Sequence, residues 1–167
     1  MRNLLIAASL LLAPLFASAN GALKEYSGPT PDFLLSDLDG VQHSLEAHRG
    51  KVLMVQFWAT YCTPCRTEMP SMNALAEKLG DRFEILAINM GESEADVRRF
   101  VDEVKPAFRV LLDPNGRSIQ DWKVFAVPST FIVDPGSNIR YTLYGPAEWD
   151  TEEMVNAISA LAGDGAS

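Results

Sequence analysis

Phe57-Trp58-Ala59-Thr60-Tyr61-Cys62-Thr63-Pro64-Cys65-Arg66 decides the fold, because a C-x-x-C spacing there joins an apolar run to an amphipathic one. Upstream, Val52-Leu53-Met54-Val55-Gln56-Phe57-Trp58 has the length and composition of a central strand covered on both faces. Downstream, Met69, Met72, Leu75, Ala76 and Leu79 share one stripe, which predicts a helix from about Thr63 to Leu79, bent at Pro70. The two cysteines therefore stand where a buried strand ends and a helix begins. Unpaired N–H groups and the helix dipole stabilise an anion at that point, so Cys62 is the candidate attacking thiolate. Cys65, one turn further in and expected to be more buried, is the candidate resolving thiol, close enough to attack a mixed disulfide formed at Cys62.

Other roles for the pair are weaker. A purely structural disulfide closing so short a loop removes little entropy from the unfolded chain. Half of a zinc site lacks its other half, since His43 and His48 lie upstream in a separate segment and no second C-x-x-C exists. Inert core cysteines fit poorly with a strand-end position. A redox dithiol is the reading that an α/β pattern around the motif supports.

The flanking chain supplies that pattern. Phe33–Leu38 and Val41–Leu45, joined by Asp39-Gly40, read as a hairpin. Phe83 to Met90 reads as a second buried strand. Ser93-Glu94-Ala95-Asp96 opens a helix to about Val104 with a hydroxyl cap and an acid three residues on. Phe108 to Leu112 is a short strand closed by Asp113-Pro114-Asn115-Gly116. Ser129–Val133 and Ile139–Tyr144 form a hairpin, and a last helix spans about Asp150 to Leu161 with Asp150 as its cap. The expectation is an α/β sandwich around a mixed sheet, one domain over about residues 28–162.

Composition narrows the function. A formal net charge of −8 with no basic run disfavours nucleic acid as a partner. Two cysteines cannot build a disulfide framework, and with two histidines distant from them they make a poor metal site. Met1-Arg2-Asn3, the apolar run Leu4 to Phe16 and Ala17-Ser18-Ala19 read as a signal peptide cleaved after Ala19, with an uncleaved anchor as the alternative. The run is well short of the roughly 20 residues of a membrane-spanning helix. Cleavage removes one base and no acid, leaving 13 bases against 22 acids in the mature chain.

The stretches FWATYCTPCRTEMPSM, NMGESEADVRRF, AVPSTFIVD and YGPAEWDTEEM resemble TlpA/ResA-type thiol-disulfide oxidoreductases. These are exported bacterial proteins of the thioredoxin superfamily, within the AhpC/TSA-like redoxin group. The resemblance runs from Pro31 to Leu161 and includes an additional αβ unit at about Ser93 to Leu112, so it implies a thioredoxin-like fold with an N-terminal hairpin and an inserted αβ unit. It implies a cis peptide before Pro128, with the Val127 backbone turned out to pair with an extended partner segment. Trp58 would wall the site, and Thr63 and Pro64 would meet the substrate with it.

Glu68 lies one turn beyond Cys65 on the same helix face, where a carboxylate can exchange protons with the buried thiol. In the resembled family such a glutamate tunes the dithiol. The blander role is a solvated glutamate near the helix start. Gln56 occupies the strand position that often carries a buried acid in thioredoxins, and it cannot titrate. Thr63-Pro64 offers no histidine or cation to stabilise the Cys62 thiolate, unlike strong oxidants with a thiol pKa of about 3.5. Glu68 adds to this by disfavouring a second negative charge, with Arg66 as a partial offset. A reductant is expected, with a potential of roughly −270 mV.

The resemblance further implies periplasmic location and a membrane thiol-transfer protein of DsbD or CcdA type as electron donor. Oxidised exported proteins, apocytochrome c among them, would be the substrates. No cofactor beyond the dithiol, no metal and a monomeric state are expected. Two alternatives remain: a peroxiredoxin-like peroxide reductase, disfavoured because no proline stands in Ala59-Thr60-Tyr61, and a copper-binding assembly factor, disfavoured because no histidine follows His48.

Overall fold

A computed structural model describes residues 21–163, and the signal-peptide expectation lies outside them. The strands are β1 (Lys24–Glu25), β2 (Leu35–Asp37), β3 (Gln42–His43), β4 (Val52–Trp58), β5 (Phe83–Asn89), β6 (Arg109–Leu112), β7 (Ser129–Val133) and β8 (Ile139–Tyr144). The helices are α1 (Thr63–Leu79), α2 (Glu94–Val104), α3 (Arg117–Asp121) and α4 (Glu152–Leu161). All eight strands join one mixed sheet in the order β1-β8-β7-β4-β5-β6-β2-β3. β4 pairs parallel with β5 and antiparallel with β7, and its seven residues are all buried.

Alternation along β4 divides the core. Met54 and Trp58 pack with Met69, Met72 and Leu75 of α1 and with Ile158 of α4. Leu53, Val55 and Phe57 face the other layer, against Trp122 and Phe131. This is the α/β sandwich that the apolar run predicts, since a strand with no polar face except Gln56 needs cover on both sides. α1 runs through Pro70 over the full predicted span, with Pro64 in its first turn, where a missing N–H costs nothing.

Several boundaries differ from the sequence reading. β1 and α3, of two and five residues, are too short to show a hydrophobic period. α4 is capped by Thr151, whose Oγ1 accepts from Met154 N at 3.3 Å, rather than by Asp150. Asp150 instead takes Lys78 Nζ on its carbonyl and its carboxylate.

The β2–β3 hairpin is held to the sheet by buried polar groups. Gly40 adopts φ 81° in the turn, and Asp37 Oδ1 accepts from Asp39 N and Val41 N, both at 2.9 Å. His43 Nε2 lies 2.9 Å from Asp37 Oδ2, His43 Nδ1 lies 3.1 Å from His48 Nε2, and His48 Nδ1 lies 2.9 Å from Glu84 Oε2. Arg109 bridges Asp37 and Glu84 from β6. The two histidines thus engage each other and two carboxylates, away from the cysteines.

Candidate active site

β4 ends at Trp58, and a short loop carries the chain to α1. The loop is clamped from outside: Glu92 Oε2 accepts from Thr60 N at 2.7 Å and from Asn89 Nδ2 at 2.7 Å, and Glu92 Oε1 accepts from Thr60 Oγ1. Met90 N donates to Trp58 O at 3.0 Å, continuing the parallel pairing past the strand ends. Cys62 N donates back to Ala59 O at 3.1 Å, which turns the chain into the helix.

Cys62 is the N-cap of α1, with extended backbone at φ −83° and ψ 97°. Its Sγ accepts from Cys65 N at 3.2 Å, the place a serine or aspartate oxygen occupies in an ordinary cap. A thiolate at this atom faces unpaired N–H groups, the electrostatic condition for an activated cysteine. Cys62 and Cys65 form a disulfide with Cα atoms 5.3 Å apart. Cys62 is 6% exposed and Cys65 fully buried. Thr63 and Pro64 are exposed beside them, as is Tyr61. Attack from solvent therefore reaches the Cys62 side of the bond.

Trp58 has no exposed surface and packs on Phe100 with ring centroids 4.6 Å apart. It belongs to the same buried cluster as Cys62 and Cys65. The Val127-Pro128 peptide is cis, Pro128 is buried and Val127 is half-buried against both cores. Ser129 Oγ donates to Ala126 O at 2.7 Å and Gly145 N to Pro128 O at 2.9 Å, so this turn is tied to the end of β8. Phe125, in the same approach to β7, is 91% exposed.

Glu68 is not a solvated residue: it is 3% exposed, below the first turn of α1. Burial pushes its carboxyl up to about 7, against donation from Trp149 Nε1 at 2.9 Å, Ala147 N at 3.2 Å and Gln56 Nε2. Ser71 Oγ accepts from the Trp149 backbone N at 3.1 Å and ties that backbone to α1. Arg66 does not offset Glu68. Residues two apart on a helix point to different faces, and Arg66 lies 4.5 Å over the Phe100 ring and pairs with Glu103 at 2.7 Å. Trp149, Ala147, Ser71 and Glu92 are site residues that no spacing rule singled out.

The AhpC/TSA family model matches residues 27–142, more than half of the chain. The chain belongs to the AhpC/TSA family. The chain is 37% identical over 118 residues to the thiol-disulfide oxidoreductase ResA of Geobacillus thermodenitrificans, covering 69% of this chain and 67% of that protein. It is 39% identical over 107 residues to the thioredoxin-like protein YneN of Bacillus subtilis, covering 62% of each. A crystal structure from Chlorobium tepidum, described as a thiol:disulfide interchange protein DsbE, superposes with a TM-score of 0.76 at 29% identity over 85% of this chain and all of the other. The fold is thioredoxin-like, and with the Cys62–Cys65 pair at the helix start this family member is a thiol-disulfide oxidoreductase.

Proposed function

We propose that this oxidoreductase is exported and works as a reductase of disulfides in other exported proteins. The observation that carries the reading is the Cys62–Cys65 disulfide at the start of α1, with Glu68 buried one turn behind Cys65 and held by neutral donors. In the reduced protein, the Cys62 thiolate attacks a substrate disulfide and forms a mixed disulfide, and the departing substrate thiolate takes a proton from water. Cys65 then gives its thiol proton to Glu68 and attacks Cys62 Sγ. The Sγ–Sγ bond forms, the bond to the substrate breaks, and the second substrate sulfur leaves with the electron pair. A membrane thiol-transfer protein of DsbD or CcdA type would return the dithiol to the reduced state, so no further cofactor is needed.

Two features favour reduction over oxidation. Arg66, the cation nearest the dithiol in sequence, is engaged by Glu103, so little beyond the helix start stabilises the Cys62 thiolate. A carboxylate behind Cys65 opposes further negative charge there. A periplasmic location agrees with the N-terminal segment, and oxidised exported proteins, apocytochrome c among them, are the proposed substrates. Equilibration with a glutathione series is expected to give roughly −270 mV, and a value close to about −120 mV would reverse the direction. In the same cells, Cys65→Ala should accumulate mixed disulfides through Cys62 and Cys62→Ala should not; equal trapping by both would sink the mechanism.

A further inference from the structure

The donors on the Glu68 carboxylate are all neutral. Trp149 Nε1 and Ala147 N reach Oε2, and Gln56 Nε2 reaches Oε1. This arrangement suits the ionised form. The carboxylic acid needs another, because its proton must sit on one oxygen and be donated. Oε2 already faces two N–H groups, so the proton belongs on Oε1, where it needs an acceptor. Gln56 presents Nε2–H there, which can donate but not accept. The other end of the same amide, Gln56 Oε1, is buried and without a hydrogen-bond partner among the described residues. Thr130 Oγ1 is also buried without a partner among the described residues, and Thr130 stands opposite Gln56 in the β4–β7 pairing.

We propose that Gln56 is a positioning residue whose amide turns over as Glu68 gains or loses its proton, presenting Nε2–H to the carboxylate and Oε1 to the acid. The inference rests on the oxidoreductase reading of the site and deepens its resolving step. When Cys65 passes its proton to Glu68, the flip lets the new acid donate to Gln56 and leaves no buried polar group opposed. Burial holds Glu68 near 7, so both states are populated at neutral pH. The groups in contact with the Glu68 carboxyl are Gln56 from β4 and Ala147 and Trp149 before α4, and Cys65 stands one turn before it on α1. Of these, the Cys65 thiol of the reduced protein is the one that titrates.

The test is NMR of the oxidised full-length chain, without substrate, across neutral pH. The side-chain amide nitrogen and both amide protons of Gln56 should move with the same midpoint as the Glu68 carboxyl carbon, and should stay fixed in Glu68→Gln. A static Gln56 amide beside a titrating Glu68 overturns the proposal. As a kinetic check, Gln56→Met should slow release from a preformed mixed disulfide about tenfold, the loss expected for one buried hydrogen bond to a charged group. An unchanged rate in the folded variant also overturns it. Failure of the oxidoreductase reading would appear instead as absent exchange in the unaltered protein, which the NMR titration does not depend on.

Discussion

Glu68→Gln should change how the stability of the oxidised protein depends on pH. In the folded protein the Glu68 carboxyl titrates near 7, raised by burial from an ordinary 4.5. Between those values the folded state holds a proton that the unfolded state has released, so stability falls as pH rises through the window. The contribution is fully present below 4.5 and gone above about 7. At about 1.4 kcal/mol per pH unit, the gap amounts to about 3 kcal/mol. Glutamine keeps the shape, carries no charge and resembles the protonated acid, with its oxygen able to accept from Trp149 and Ala147. Glu68→Gln should therefore lose none of this increment. Urea unfolding of both oxidised proteins at a series of pH values gives the difference directly, provided the denaturant slopes agree. The variant should gain about 3 kcal/mol relative to the parent between weakly acid and weakly alkaline solution. Parallel curves would falsify the assignment of a buried, proton-binding carboxyl at this position.

Trp149→Phe removes one donor from ionised Glu68 and keeps most of the packing; it should raise the carboxyl midpoint by about one pH unit, read by carboxyl-carbon NMR. An unmoved midpoint would mean that the indole does not support the charge. At the far end of the sheet, burial opposes ionisation of Asp37, but donation from His43, from the Val41 and Asp39 backbone and from Arg109 outweighs it and holds the carboxyl at about 2. Glu84 is held at about 2, chiefly by His48 and with help from Lys51, against burial. Both are depressed, so their contribution is present above the ordinary carboxylate range and is lost as pH falls toward 2. Glu84→Gln should flatten that acid limb in denaturation curves, and an unaltered limb would remove Glu84 from the account. Glu92→Ala frees Thr60 N and Asn89 Nδ2, and should destabilise the oxidised protein by about 2 kcal/mol and speed amide exchange at Thr60. Unchanged protection at Thr60 would show that the loop does not depend on this clamp.

Much of the fold was legible because its signals are local. Seven residues without a break in apolar character, apart from Gln56, require a strand covered on both faces, and a cysteine pair followed by a helical stripe places the thiols at a helix start. Asp39-Gly40 and Ser93-Glu94-Ala95-Asp96 announced their turn and cap because each is complete within a few residues. The choice between Asp150 and Thr151 as cap was not legible, since both side chains can do the work; Asp150 is drawn off by Lys78 from α1.

Glu68 divides the two kinds of information most sharply. Its place one turn beyond Cys65 follows from helical spacing, and so does the possibility of proton exchange with that thiol. Whether it is a solvated surface acid or a buried one near neutrality depends on Trp149, 81 residues away, on the Ala147 backbone and on the amide of Gln56 in β4. Short-range chemistry is written in neighbouring residues, so the chain alone specifies strand, dithiol and helix. Desolvation and hydrogen bonding act across space between distant segments, and only the packed structure sets the charge state behind the dithiol.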